Sequence, residues 1–199
     1  MLEPRIQQHY FENADLCYQV AEHLSRSISD AAQLAVHALT SGGRLLLAGS
    51  GSATVLAQLM GVALQTRLER DRPPLAALVL APGVPPYPGA GLAAADPAAL
   101  LAQQVAALGQ TGDVLVLFSL GDEDPVAQAA LAEAHAREMA VVLLGAGLAA
   151  PWAGLLAESD VWIAAPVDRA MRAMELHLLA LHALCDAIDV QLLGEADAA

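Results

Sequence analysis

At 199 residues the chain is long enough for one domain with a full core. Its nine arginines and no lysine, against 22 acidic residues, give a formal net charge of −13 and exclude the basic footprint that direct nucleic-acid binding needs. Hydrophobic residues reach 56% with only 4% aromatics, so the core is Ala, Leu and Val, and the mean hydropathy is +0.48. No run of 18 apolar residues escapes Gly, Pro or charge, and the N-terminus lacks a signal-peptide pattern. The excess apolarity therefore points to an oligomer interface rather than lipid, and the expected location is cytoplasmic. Residues 4–25 and 28–40 carry apolar positions at helical spacing, with Ser27 and Ser29 as caps between them, predicting a helical hairpin that Ser41-Gly42-Gly43 stops. A short apolar strand, Leu45 to Ala48, runs into Gly49-Ser50-Gly51-Ser52, which opens a helix to about residue 70. Pro73-Pro74 precedes a second strand at Ala76 to Leu80, and residues 81–97, with five prolines and three glycines, form an irregular loop. Helix 97–108, strand 113–118, helix 123–138, strand 140–144, strand 161–164 and a long helix over 168–190 complete the order. Continuous apolar strands alternating with helices mean a parallel sheet covered on both faces. The expected architecture is a single α/β domain over 1–199: helices 1–41, a core over 44–191 with a five-stranded parallel sheet in a three-layer sandwich, and a polar tail over 194–199.

Ser119-Leu-Gly-Asp-Glu-Asp124 lies where a buried strand meets a helix N-terminus, the usual place for a phosphate in an α/β protein. Acidic side chains there oppose a phosphate but suit a bare helix end, stabilising it by roughly 0.3–1 kcal/mol each. Asp122-Glu123-Asp124 reads as a helix cap or a cation site; adjacent side chains diverge, which favours the cap. The Gly49–Ser52 turn is either a nest for a small anion or a tight strand-to-helix junction. Arg67, Arg70 and Arg72, interleaved with Glu69 and Asp71, read as a solvated face or intersubunit ion pairs. Cys17 and Cys185 read as reduced, buried thiols. His9, His23, His37 and His135 have no partner at ligand spacing and are placed on the surface or an interface.

Gln104-Val-Ala-Ala-Leu-Gly-Gln-Thr-Gly-Asp-Val-Leu115, the Gly49-Ser-Gly turn, Arg72-Pro73, and Arg172-Ala-Met-Glu175 with His177 and His182 resemble the sugar isomerase (SIS) domain family. Within it the likeness is to the phosphoheptose isomerase branch and its relative DiaA, the DnaA initiator-associating protein. The resemblance implies the five-stranded fold and a homotetramer that uses the N-terminal helices. In the isomerases it further implies a metal-assisted site that interconverts aldose and ketose phosphates. Carried over by position, the metal-binding histidine falls on Leu59, the catalytic glutamate on Ala63 and a metal-ligand glutamine on Met174, while the final histidine survives as His182. The family's Gly-Asn-Gly-Gly-Ser phosphate turn becomes Gly49-Ser50-Gly51-Ser52-Ala53, losing its Asn and moving its hydroxyl, and the second phosphate loop keeps only Ser119.

The expected function is thus a non-catalytic scaffold that resembles DiaA, binds DnaA and promotes replication initiation, without metal, cofactor or catalytic residue. Its alternative is phosphoheptose (sedoheptulose-7-phosphate) isomerase or a phosphosugar-binding regulator. Ser50, Gly51, Ser52, Ser119, Glu175 and His182 are the candidate remnant ligand residues. Glu175 and His182, seven apart on one helix face, read as an acid/base remnant or a polar pocket at a subunit junction. Leu192 and Leu193, expected just beyond the last helix, are either folded back or offered to the partner.

Overall fold

A computed structural model of the chain describes residues 2–80, 96–121, 123–147 and 152–195. Five strands, β1 (Leu45–Gly49), β2 (Ala77–Val79), β3 (Val114–Ser119), β4 (Ala140–Ala146) and β5 (Val161–Ala165), form one sheet in the order β2-β1-β3-β4-β5. Every pairing is parallel. The helices are α1 (Glu3–Thr40), α2 (Thr54–Gln65), α3 (Pro97–Leu108), α4 (Pro125–Ala136) and α5 (Ala170–Leu193).

The two-residue alternation of the strands divides the core. Leu45, Leu47, Val116, Phe118, Val142 and Leu144 face one layer, built with α1, α2 and α5. Leu46, Ala48, Leu115, Leu117, Val141 and Leu143 face the other, built with α3 and α4. Both faces of β1 and β3 are therefore apolar, which is why these strands read as unbroken hydrophobic runs. Alanines at Ala31, Ala32, Ala35 and Ala38 let α1 approach closely in place of bulky aromatics.

The expected N-terminal hairpin is a single helix of 38 residues, roughly 57 Å long. Serine caps helices but does not break them, and Ser25 turns its hydroxyl onto the Ala21 carbonyl (2.5 Å), leaving the backbone helical. On α1 full burial begins at Val20, with Leu16 and Cys17 packed against the core from the turn before it. α2 stops at Gln65 rather than near residue 70, because Arg72 folds back and donates to the Ala63 and Leu64 carbonyls at 2.9 and 2.8 Å. α4 begins at Pro125, so Glu123 precedes it. α5 extends to Leu193 and includes both terminal leucines.

By length and composition α5 could cross a bilayer. It instead carries the buried polar residues Arg172, His177 and Asp189 and packs on α1 and α2, as the core helix of this fold. The proline-rich 81–95 segment, Asp122 and the tail from residue 196 lie outside the described residues.

Candidate functional site

Strand order reverses between β1 and β3, and in open parallel sheets the crevice at such a switch point is where ligands bind. Gly49 of β1 is in register with Phe118 of β3, so Ser50, just past β1, and Ser119, the last residue of β3, lie side by side at the edge of the sheet that borders the crevice. Gly49 must be glycine: a Cβ there would lie 2.5 Å from the Ala53 carbonyl oxygen. Gly51 takes φ +51°, in the left-handed region that favours glycine, and turns the chain into α2. Thr54 ties the turn down by donating to the Gly49 and Gly51 carbonyls at 2.9 and 2.8 Å. Ser52 stays exposed.

The crevice is closed by a side chain of the protein itself. Asp124, largely buried, is the N-cap of α4 and accepts from the Ala127 N–H at 3.0 Å. Its other oxygen accepts from Ser119 Oγ at 2.7 Å and from Ser50 Oγ. Two hydroxyls from loops about 70 residues apart and one helix N–H thus converge on a single carboxylate. These are the donors that a bound anion would use. Of the expected acidic triplet, Asp124 is the cap, Glu123 is exposed and Asp122 lies outside the described residues.

Other predicted residues are placed differently. No hydrogen bond among the described residues links Glu175 or His182 to the serine pair. Glu175 accepts from Arg172 at 2.5 Å, and His182 is exposed on α5. Leu192 packs against the core, whereas Leu193 is 41% exposed. The arginine cluster is not uniformly solvated. Arg67 pairs with Asp71 at the surface and Arg70 donates to the Gly194 carbonyl (2.7 Å). Arg72 is buried against Asp189 at 2.5 Å. Cys17 and Cys185 are free thiols, Cys17 half-buried and Cys185 buried; burial pushes the Cys185 thiol up to about 12.

The residues that the resemblance aligns with the isomerase centre do not fit a metal. Leu59 and Met174 offer no strong donor and Ala63 offers none. Among the described residues no group of three or more His, Cys, Asp or Glu side chains gathers.

Two polar clusters are invisible in the spacing. His135 is not unpartnered: it meets the buried carboxylate of Asp160 at 2.7 Å, and Asp160 also accepts from the Val141 and Ala157 N–H groups. His9 is not unpartnered either: its Nδ1 accepts from Arg172 at 2.8 Å. Arg172, 5% exposed, also meets Glu12 at 3.3 Å. Its hydrogen bond to Glu175, opposed by burial, raises the guanidinium further above its ordinary range. Glu12 is lowered, first by its hydrogen bond from Gln8 and, against some desolvation, by Arg172 and Arg169. His177 is buried, and burial pushes it down to about 4 against a smaller opposing effect of the Gly145 backbone.

Comparison with known proteins gives a consistent result. The family model for the SIS domain matches residues 9–145. The phosphoheptose isomerase of Methylibium petroleiphilum is 42% identical over 99% of this chain and 98% of its own length. That of Alkalilimnicola ehrlichii is 39% identical over 96% and 97%. Among solved structures, a phosphoheptose isomerase from Francisella tularensis superposes with a TM-score of 0.86 at 30% identity, covering 95% of this chain and 98% of that one.

Proposed function

Because the chain belongs to the SIS domain family, in its phosphoheptose isomerase branch, we propose that it keeps that fold as a non-catalytic scaffold. The carrying observation is Asp124: a carboxylate already holds the Ser50 and Ser119 hydroxyls and the α4 N-terminus. A phosphate entering there would displace it or sit against its negative charge. Supporting this, Leu59, Ala63 and Met174 supply neither a base nor a metal shell. Proton transfer between adjacent sugar carbons needs a positioned base. On the resemblance to DiaA, the partner is a DnaA-type initiator, bound in several copies by a homotetramer. Such an assembly raises the local concentration of its partner without chemistry. The DnaA part rests on that resemblance alone.

A second reading is carried by the relatives. Proteins 42% and 39% identical over nearly the whole chain bear the name phosphoheptose isomerase, and the comparisons favour that activity over the scaffold. The local chemistry of the crevice speaks the other way. One purified sample decides between them. On the scaffold reading it leaves sedoheptulose 7-phosphate unconverted with zinc supplied, and it captures DnaA at micromolar concentration. Leu193→Ser is the first surface variant to test for weakened capture. Conversion of the sugar phosphate overturns the scaffold reading; inert protein that also ignores DnaA removes the partner but not the closed crevice.

A further inference from the structure

At the far end of α4 from the serine crevice, the last turn of the helix presents His135 to Asp160, the residue just before β5. The Asp160 carboxylate is fully buried and accepts from the Val141 and Ala157 N–H groups at 2.8 Å each. An ionised carboxylate has no proton to give. At 2.7 Å the His135 Nε2 is therefore the donor, and the ring's lone pair rests on Nδ1. That nitrogen has no hydrogen-bond partner among the described residues, is not enclosed, and belongs to a side chain 29% exposed. The other five histidines lack this arrangement. His9 commits its Nδ1 to Arg172, His177 is buried, and His23, His37 and His182 are exposed without a carboxylate partner among the described residues.

We propose that His135 is a nucleophile, backed by Asp160, that takes an acyl group from a neutral activated donor: an ester, thioester or anhydride. Nδ1 attacks the carbonyl carbon and the N–C bond forms. The bond to the leaving group breaks with its electron pair, and the Nε2 proton passes to water. Positive charge develops on the ring during the attack, and both Asp160 at Nε2 and the negative end of the α4 dipole stabilise it. Water then hydrolyses the acyl-imidazole, returning the acid and the free ring. A phosphoryl donor fits less well, because its negative charges would face the same buried carboxylate and helix C-terminus. A metal ion also fits less well, since no group of three or more ligands gathers among the described residues. The chain has no lysine, so few side chains compete for the acyl group. His135 and Asp160 lie at the opposite edge of the sheet from Ser50 and Ser119, and the proposal is independent of the reading of that crevice.

The test is limited labelling of the full-length protein with diethyl pyrocarbonate, followed residue by residue with peptide mass spectrometry. His135 should be carbethoxylated about ten-fold faster than His23 and His182, although both are more exposed. Asp160→Asn should slow labelling at His135 about ten-fold and leave His23 unchanged. That substitution also loosens the loop before β5, so the order of labelling in the parent and a second assay carry the test without it. Hydrolysis of p-nitrophenyl acetate by the parent should fall about ten-fold in His135→Gln and stay unchanged in His23→Gln, with circular dichroism alike in all three. The proposal is overturned by His23 or His182 labelling as fast as His135, by unslowed labelling of His135 in folded Asp160→Asn, or by equal ester hydrolysis in the parent and His135→Gln.

Discussion

Asp124 satisfies three donors at once, and that makes it the residue whose replacement says most. Asp124→Ala removes the α4 cap and the acceptor shared by Ser50 and Ser119, an expected loss of about 2 kcal/mol in urea unfolding. Asp124→Ser is the more telling change, since it removes the charge and adds a third hydroxyl. Inorganic phosphate, on the order of 10 mM, should raise the melting temperature of this variant and leave the parent unmoved. An equal rise in both would mean that the carboxylate does not block the anion. The sequence placed an acid at the α4 terminus, but it could not show that this acid also reaches Ser50. That contact spans 74 residues and depends on the β1/β3 register. For the same reason Arg172 and His9, 163 residues apart, stayed hidden.

His177 offers a second residue-scale prediction. Its value of about 4 in the fold lies below the ordinary 6.5, so the unfolded chain binds the proton more readily. Stability tied to this residue is fully present above pH 6.5 and is lost as the pH falls towards 4. The difference is worth about 3 kcal/mol. Unfolding free energy of the parent should therefore fall by about that much more than that of His177→Gln between pH 7 and 4. Parallel acid limbs would contradict the buried, neutral imidazole.

At the scale of elements, the strands were legible because each is a continuous apolar run, whereas helix boundaries depended on partners. The break expected at Ser27 fails because no Gly or Pro enforces it and the α1 alanines pack across that region. The end of α2 is set by Arg72, whose guanidinium takes two of its last carbonyls and pairs with Asp189 on α5. Arg72→Leu leaves that carboxylate buried without a counter-charge, and a loss of about 3–5 kcal/mol is expected in chemical denaturation. Replacing both partners, Arg72→Leu with Asp189→Leu, should recover part of it. A single variant as stable as the parent would show the pair to be dispensable.

For the whole molecule, the acidic balance argues against a nucleic-acid surface of the usual kind, but it says nothing of the fold, which came from strand and helix order. Apolar side chains remain outside the single chain: Phe11 and Tyr18 on α1, Val55 and Val62 on α2, and Leu179 on α5 are each more than half exposed. So much apolar surface on three helices fits self-association better than a solvated monomer. Light scattering after gel filtration should give a mass several times 20.5 kDa. A Phe11→Asp, Tyr18→Asp double variant should lower that mass with its helix content kept. A parent that runs as a monomer at micromolar concentration would refute the assembly.

The closed crevice is most directly tested by giving the purified protein sedoheptulose 7-phosphate with zinc and following both aldose formation and melting temperature. The account predicts no product and no thermal shift. Steady turnover that disappears when Ser119 is replaced by Ala would show a sugar phosphate seated where Asp124 now lies, and would contradict it.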